Sequence, residues 1–319
     1  MKIVITGGCG FLGVGIARKL MTHPEIDSLV LFDAQVPDEL PDGLDDRVSM
    51  VEGDILDRDQ VAALIDRDDI GVFHLASVVS AGGEQDFDLA MRVNFDGGRH
   101  ILEALRAREG TPRIVLASSL AVFGGEEMPE AVTDMTRLVP QTTYGMTKAI
   151  SELMINDYTR KGFIDGRAAR LPTVIIRPGA PNAAASGFAS GVFREPLGAQ
   201  EYVLPVGMDT RMMVIGARAA IAGLIGLMDT DGDALGADRV VNLPNNAYAV
   251  TEMIEALERV AAEKGMTLGP VTPKPDPAIE AIVKSWPLAM QDSRARALGL
   301  PADDSLEAII GEYIEDYLD

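Results

Sequence analysis

A glycine-rich turn between a short strand and a helix, near the start of the chain, is the feature that most restricts its fold. A β-branched run at residues 2–6 is followed by Gly7, Gly8, Gly10 and Gly13, and then by apolar side chains at helical spacing. Such a unit opens a parallel α/β sheet, and its glycines let the amides at the helix start approach a phosphate. The sequence therefore predicts a pyrophosphate-binding loop at these glycines.

A carboxylate ends the next apolar run. This run covers residues 28–32, and Asp33 follows it twenty residues after Gly13. Dinucleotide-binding sheets place a ribose-binding carboxylate at about this distance. Because Asp33 would repel a 2′-phosphate, we expect NAD and not NADP as the cofactor. The alternative is a glycine-rich turn followed by an ordinary surface aspartate.

The chain then alternates between strand and helix patterns. Strands are predicted at residues 48–51, 71–77, 113–119 and 173–177, and helices at 59–67 and 87–109. Alternation of this kind predicts an α/β fold with a doubly wound parallel sheet, a Rossmann fold. Ligands of such sheets bind beyond the carboxyl ends of the strands, where Asp33, Ala76, Ser119 and Pro178 are expected to lie.

The alternation loosens after residue 178. The elements expected there are a strand at residues 238–242 and helices at 219–228, 251–264 and 305–318. We therefore expect an NAD-binding Rossmann domain formed by residues 1–178 and 212–247. A smaller C-terminal substrate-binding lobe is expected from residues 179–211 and 248–319.

Composition and charge exclude several classes of partner. The chain has 28 basic against 49 acidic residues, a net charge of −21, and the acidic residues are spread along its length. A solvated acidic surface repels phosphate backbones and anionic membranes, so we expect no nucleic-acid and no membrane partner. The apolar run at residues 219–228 is too short to span a bilayer.

Cysteine and histidine usage restricts the location and the chemistry. Cys9 is the single cysteine, so the chain cannot form an internal disulfide, and a reducing, cytoplasmic location is expected. The three histidines, His23, His74 and His100, have no partner at the spacing of metal ligands. We expect no metal.

Tyr144 and Lys148 are one helical turn apart on the same face of a predicted helix. A phenol with a pKa of about 10 is a poor base at neutral pH, and a neighbouring cation lowers that pKa by favouring the phenolate. The pair is therefore a candidate for proton transfer. A half-buried tyrosine beside a solvated lysine is the alternative, because this spacing also occurs by chance.

Motifs along nearly the whole chain together resemble the extended short-chain dehydrogenase/reductase superfamily, the NAD-dependent epimerase/dehydratase family. They are residues 6–13, Asp33, residues 54–55, residues 74–76, Asn94, residues 118–119 and residues 144–148. The resemblance implies that Tyr144 is the general acid/base and that Lys148 modulates its pKa and donates to the nicotinamide ribose. It also implies that Ser119 holds the reacting oxygen.

The motifs and the resemblance together assign a set of contacts to NAD. These are Gly7, Gly10, Phe11, Leu12, Asp33, Asp54, Ile55, Leu75, Ala76, Ser77, Asn94, Tyr144, Lys148 and Pro178. The resemblance further implies a homodimer packed through the helix at residues 87–109 and the helix that carries Lys148.

A narrower resemblance, to the D-erythronate dehydrogenase branch, covers residues 170–182, 185–188 and 194–197, with 86–88 and 93–94. That branch oxidises the C2 hydroxyl of a four-carbon sugar acid to a 2-oxo acid.

The chain also departs from the epimerases. Where epimerases have a tyrosine after the serines, this chain has Phe123. Arg211 matches the phosphate-clamping arginine of the epimerases, and Arg218 stands seven residues later, where they have an aspartate.

These departures favour a small acid as the substrate. Arg211 is a candidate carboxylate clamp, because its planar fork suits a bidentate pair, and a surface or interlobe salt bridge is the alternative. Asn182 is a candidate substrate contact or, alternatively, a turn-stabilising residue. Ser119 and Tyr144 complete the expected substrate contacts.

The expected function is NAD-dependent oxidation of the C2 hydroxyl of a small, D-erythronate-like sugar acid. Ser119, Tyr144 and Lys148 are the expected catalytic residues. A nucleotide-sugar 4-epimerase or dehydratase with tightly bound NAD is the alternative. A non-enzymatic dinucleotide sensor of the same fold usually lacks an intact set of these three residues.

Overall fold

The structure is a computed structural model that describes residues 1–179 and 185–318. In chain order, its strands are β1 (Lys2–Thr6), β2 (Ser28–Asp33), β3 (Val48–Glu52), β4 (Ile70–His74), β5 (Arg113–Ser119), β6 (Ala131–Val132), β7 (Asp165–Leu171), β8 (Thr173–Ile175), β9 (Tyr202–Leu204), β10 (Arg211–Gly216), β11 (Val240–Asn242), β12 (Asn246–Ala249), β13 (Val271–Pro273) and β14 (Ala289–Met290).

The helices of the same residues are α1 (Phe11–Leu20), α2 (Arg58–Leu64), α3 (Ser80–Gln85), α4 (Phe87–Ala90), α5 (Gly98–Arg106), α6 (Thr143–Arg160), α7 (Phe188–Leu197), α8 (Ala217–Asp229), α9 (Gly232–Leu235), α10 (Val250–Lys264), α11 (Pro277–Lys284), α12 (Ser293–Ala297) and α13 (Leu306–Tyr317). A π-helical segment, Met91–Gly97, joins α4 directly to α5, so the helix expected at residues 87–109 is continuous but ends at Arg106.

A seven-stranded parallel sheet carries the predicted fold. Its strand order is β11-β7-β5-β4-β1-β2-β3, and every neighbouring pair is parallel. All five residues of both β1 and β4 are buried, as expected for central strands covered on both faces. The α/β Rossmann fold predicted from the sequence is confirmed.

Helices cover both faces of this sheet. On one face, α1 and α8 bury side chains that include Ile16, Leu20 and Leu224. On the other, α2, α5 and α6 contribute Val61, Leu105 and Ile155 to a second cluster. Each such buried aliphatic side chain contributes about 1.5–3 kcal/mol relative to an exposed one, so the sandwich holds the sheet in place.

The register aligns the carboxyl ends of the central strands. Thr6 pairs with Phe32 on one side and with His74 on the other, so β1, β2 and β4 end level. Ser119, at the end of β5, pairs with Leu171 of β7. The segments that follow these strands therefore meet at one edge of the sheet, where the candidate site lies.

The strand expected at residues 173–177 does not belong to this sheet. It is β8, which pairs with β10 and β12 in a separate three-stranded sheet. The large sheet instead contains β7, which Pro172 separates from β8 because proline has no backbone N–H to continue the ladder. Sequence analysis missed β7 because Arg167 and Arg170 break its apolar pattern, although both are buried.

A second core lies outside the large sheet. Phe188 and Phe193 of α7, Leu257 of α10 and Ile310 of α13 are buried in it. Residues 212–247 contribute β10 to the three-stranded sheet and β11 to the large sheet, so the domain boundaries given above stay a prediction. Within the described ranges, no helix combines the length and the apolar character that a bilayer span requires.

One fold prediction concerns His74, which is buried and lies 2.7 Å, through Nδ1, from the Thr6 hydroxyl. Burial, with a smaller effect of Lys148, lowers the His74 pKa to about 3. In the unfolded chain this histidine binds a proton near pH 6.5, whereas in the folded chain it does so only near pH 3. Stability therefore falls as the pH falls through this window.

We expect this single group to remove about 2 kcal/mol of unfolding free energy between pH 6.5 and pH 5. The variant His74→Gln should lose correspondingly less over that interval, as measured by urea unfolding at each pH. An identical pH dependence in the variant and the parent chain would show that His74 already titrates normally in the folded state.

Candidate active site

The start of helix α6 brings Tyr144 to the end of strand β5. The Thr142 hydroxyl caps the helix by accepting a hydrogen bond from the Gly145 N–H at 3.0 Å. A Cβ atom at Gly145 would lie only 2.0 Å from the Ala121 carbonyl oxygen. The glycine therefore lets the helix start pack directly on the backbone that follows Ser119.

Lys148 lies below Tyr144 in the protein interior. Its Nζ atom is 5.6 Å from the centre of the Tyr144 ring, and the residue is 4% exposed. Burial lowers the Lys148 pKa to about 8, and the negative charge of Glu152, one turn further along α6, opposes this shift. At neutral pH the ammonium form therefore predominates beside the phenol.

Tyr144 is half-buried, and its pKa is raised because burial disfavours the phenolate. A hydrogen bond from Ser119 and the positive charge of Arg177 act in the opposite direction. Lys148 lies beside the ring, so its expected effect on the Tyr144 pKa stays a prediction. The three expected catalytic residues are nevertheless brought together.

A buried ion pair holds α6 against the sheet. Glu152 of α6 receives two hydrogen bonds from Arg170 of β7, at 3.0 and 2.8 Å. The Ser118 hydroxyl donates to the same carboxylate at 2.5 Å. Because successive strand residues point to opposite faces, Ser118 meets α6 while Ser119 lies in the cleft. The helix and two strands of the site are thus tied by one network.

Asn94 lies in the π-helical segment and links three parts of the site. Its side-chain amide donates to the Val78 carbonyl oxygen at 3.0 Å and to the Thr147 hydroxyl at 3.1 Å, and its oxygen accepts from the Val78 N–H at 2.7 Å. The loop after β4, which contains Leu75, Ala76 and Ser77, is therefore attached to α6. In this geometry Asn94 positions the loop, and the contact with NAD expected for it stays a prediction.

Close packing explains three of the four glycines of the loop. Added Cβ atoms would lie 2.8 Å from the Ala76 nitrogen at Gly7, 2.6 Å from the Ile5 carbonyl oxygen at Gly8 and 2.4 Å from the Gly8 carbonyl oxygen at Gly13. Gly7 also has a φ of +68°, which side chains rarely adopt. These glycines are required by the chain itself.

Gly10 is different, because nothing in the chain requires a glycine there. It is exposed, its φ of −74° suits any residue, and a Cβ atom would lie 3.4 Å from its nearest neighbour, the Gly7 carbonyl oxygen. Gly10 precedes α1, which has no capping side chain and no acidic residue in its first turn. An open surface at an uncapped helix start fits a pyrophosphate.

The other positions expected to contact NAD lie around this loop. Asp33 ends β2, and its carboxylate accepts a hydrogen bond from the Cys9 N–H at 3.1 Å, which holds it beside the loop. Asp54 is exposed after β3, and the Ile55 side chain is buried under the π-helical segment. The residues present therefore fit a dinucleotide laid across the strand ends.

A cleft of about 180 Å³ joins the loop to the proton-transfer group. Phe11 and Leu12, the first residues of α1, line it together with Ser119 and Tyr144. Arg177 and Trp286 form another part of its wall, and sequence analysis singled out neither of them. Arg177 directly precedes Pro178, which is among the expected NAD contacts. This adjacency is the sequence signal that could have identified Arg177.

Of the expected substrate contacts, Ser119 and Tyr144 line the cleft. Arg211 does not line this cleft: it is exposed, and its guanidinium contacts Glu252 at 3.2 Å and the Ala247 carbonyl oxygen at 2.9 Å. Pro178 is half-buried directly after Arg177. Asn182 lies outside the described residues.

In the described part of the chain, no three His, Cys, Asp or Glu side chains are grouped as ligands of a metal ion.

The contrast between Gly10 and Gly13 yields a prediction. We expect Gly10→Ala to fold normally, with a Tm within about 2 °C of the parent, since alanine tolerates this backbone geometry. Its added methyl group should weaken NAD binding about tenfold or more, measured by calorimetry. Gly13→Ala should instead cost at least about 1–3 kcal/mol in unfolding free energy. Undiminished NAD affinity in Gly10→Ala would place the pyrophosphate elsewhere.

Known proteins resemble the chain over its whole length. It is 45% identical to D-erythronate dehydrogenase of Cupriavidus necator, covering 99% of this chain and 98% of that protein. It is 39% identical to D-erythronate dehydrogenase of Haemophilus influenzae, covering 99% of each. The solved structure named nucleoside-diphosphate-sugar epimerase from Agrobacterium tumefaciens superimposes with a TM-score of 0.91 at 38% identity, covering 100% of this chain and 94% of that one.

A family model gives the same classification. The model described as the 3-beta hydroxysteroid dehydrogenase/isomerase family matches residues 4–181, which contain the glycine loop, Asp33, Ser119, Tyr144 and Lys148. The chain therefore belongs to this family, within the extended short-chain dehydrogenase/reductase superfamily, and is an NAD-dependent dehydrogenase that acts on a CH–OH group.

Proposed function

We propose that the chain oxidises the C2 hydroxyl of a small sugar acid, such as D-erythronate, to the 2-oxo acid. The observation that carries this proposal is the convergence of Ser119 and Tyr144 on the cleft that begins at the phosphate-binding loop, with Lys148 buried beside the Tyr144 ring. The names of the two full-length relatives, at 45% and 39% identity, support D-erythronate as the substrate.

Each residue has a separate task in this proposal. The substrate hydroxyl binds between the Ser119 hydroxyl and the Tyr144 oxygen. Tyr144, as phenolate, accepts the hydroxyl proton as the C2–H bond breaks, and the electron pair left on oxygen forms the C2 carbonyl. The Lys148 ammonium stabilises the phenolate, and Ser119 holds the oxygen as its charge changes.

The chain also provides the binding site for its cofactor. Gly10, Phe11 and Leu12 would hold the pyrophosphate of NAD, and Asp33 the hydroxyls of the adenosine ribose. Lys148 would donate to the nicotinamide ribose. When bound, NAD⁺ supplies the acceptor for the hydride released from C2. Proton transfer to a positioned base contributes about 10²–10⁴-fold to the rate, and holding the reactants in contact contributes more.

A nucleotide-sugar epimerase is the second candidate, because the chain is 38% identical to a solved structure named nucleoside-diphosphate-sugar epimerase. An epimerase would keep NAD bound and return the hydride to the same sugar, with no net NADH. The names of the two full-length relatives favour the smaller substrate.

A homodimer is part of the proposal. The helices expected to pair, α4 to α5 and α6, expose Phe87 by 55% and Leu153 by 66%. Apolar side chains of this size at the surface are consistent with packing against a second copy. Sedimentation equilibrium of the purified chain tests this assembly.

The activity test uses the purified chain with NAD and a panel of C4 and C5 aldonates, with UDP-glucose and UDP-galactose for comparison. We expect one NADH per D-erythronate consumed, followed by absorbance, and a carbonyl at C2 of the product, identified by NMR. Interconversion of the UDP-sugars without NADH, and no NADH from any aldonate, would favour the epimerase instead.

The variant Tyr144→Phe tests the proton acceptor. We expect turnover to fall at least about 100-fold with NAD affinity nearly unchanged, because only the phenolic oxygen is removed. The matched control is Tyr158→Phe on the same helix, where the phenol donates to Glu103 outside the cleft. If Tyr144→Phe keeps its activity within tenfold of the parent, Tyr144 is not the proton acceptor.

A further inference from the structure

The cleft contains a cation that the roles above do not use. Arg177 lies two residues after the end of β8 and lines the cleft with Ser119 and Tyr144. Its backbone N–H donates to the Ser190 hydroxyl at 3.1 Å, and its carbonyl oxygen accepts from Arg194 at 3.0 Å. These contacts hold the backbone, while within residues 1–179 and 185–318 the guanidinium makes one long contact, 3.5 Å, to the Ser186 hydroxyl.

The charge of this guanidinium is poorly compensated. Among the described residues, no carboxylate lies within ion-pairing distance of it, and the nearby Glu195 is paired with Arg194. Burial lowers the pKa of Arg177, and the positive charge of Arg194 lowers it further. A partly buried cation beside a second cation is unfavourable unless an anion joins it.

The lack of a carboxylate partner is notable in this chain. Acidic residues outnumber basic ones by 49 to 28, and most arginines of the described part are paired. Arg211, which sequence analysis favoured as the carboxylate clamp, is one of the paired ones, through Glu252. Of the arginines in the described part of the chain, Arg177 is the one that lines the cleft.

We propose that Arg177 binds the carboxylate of the substrate and thereby selects the hydroxyl at C2 as the one that is oxidised. This inference rests on the proposed function and names the group that determines its substrate class. The planar fork of arginine binds a carboxylate through two parallel hydrogen bonds, which fixes the orientation of the acid as well as its position.

The selection of C2 follows from the spacing of the two anchors. Arg177 and Tyr144 line the same cleft of about 180 Å³, so both lie within the short span of this cleft. In a 2-hydroxy acid, the carboxylate is bonded to the carbon that carries the reacting hydroxyl, so both groups bind within this short span. A hydroxyl further along the chain would lie beyond Tyr144 when the carboxylate is on Arg177.

The ligand class is therefore a 2-hydroxy acid with a short polyol tail. Neutral relatives of the same shape, such as the primary amide of erythronic acid, would present no charge to Arg177. They would leave its partly buried guanidinium without an anionic partner in the complex, which costs binding free energy. The ratio of acid to amide utilisation is the property that Arg177 controls.

The test compares kcat/KM for D-erythronate and for D-erythronamide in the parent chain, Arg177→Gln, Arg177→Lys and Arg211→Gln. We expect the parent to prefer the acid by about 100-fold and Arg177→Gln to lose nearly all of that preference. Arg177→Lys, which keeps the charge without the fork, should retain an intermediate preference. Arg259→Gln removes an exposed arginine paired with Glu307 and is the charge-matched control.

Calorimetry of NADH binding, followed by titration with each ligand, keeps the inference testable if Arg177→Gln is inactive. Normal NADH affinity with loss of D-erythronate binding supports the inference. Unchanged preference for the acid in Arg177→Gln, by turnover or by binding, overturns it, as does loss of that preference in Arg211→Gln instead.

The two proposals fail in distinguishable ways. If the parent chain forms no NADH from any aldonate, the proposed function fails, whatever Arg177 does. If the parent chain oxidises D-erythronate while Arg177→Gln still prefers the acid, the function stands and the inference fails.

Discussion

The buried ion pair between Glu152 and Arg170 is the interaction on which the geometry of the site depends. It joins helix α6 to strand β7, and Ser118 extends it to β5. Removing one partner of such a pair leaves an uncompensated buried charge and costs about 3–5 kcal/mol. The helix therefore has one favourable position on the sheet, and that position sets Tyr144 against Ser119.

The same pair shapes the electrostatics of the cleft. The negative charge of Glu152 opposes the effect of burial on Lys148, so this lysine keeps a pKa of about 8 and its proton at neutral pH. Lys148 and Arg177 then place two positive charges near Tyr144, in a chain of net charge −21. An acidic surface repels acids at long range, and this local concentration of positive charge offers them a favourable position.

The glycine loop shows that one motif combines two kinds of constraint. Gly7, Gly8 and Gly13 are fixed by contacts within the chain, since a Cβ atom at each would meet backbone within 3 Å. Gly10 is exposed, and a Cβ atom there would come no closer than 3.4 Å to backbone. Conformational necessity and ligand access are therefore separable by position, although the sequence pattern presents all four glycines alike.

The sequence alone predicted the features that depend on local spacing. The glycine loop, Asp33 at the end of β2 and the pair Tyr144–Lys148 each lie within one element or between consecutive elements. For these features the periods of helix and strand determine which side chains share a face. The order of neighbouring segments likewise predicted the parallel sheet and its ligand-binding edge.

Only the tertiary structure decided which distant groups meet. Strand β7 was missed because Arg167 and Arg170 resemble surface residues until their ion-pair partners, Asp165 and Glu152, are seen. Arg211 begins strand β10 and Arg177 follows strand β8, and their sequence neighbours do not reveal which one a carboxylate of the chain already neutralises. Ion pairing depends on distance in space, which the folded chain sets and the sequence pattern does not display.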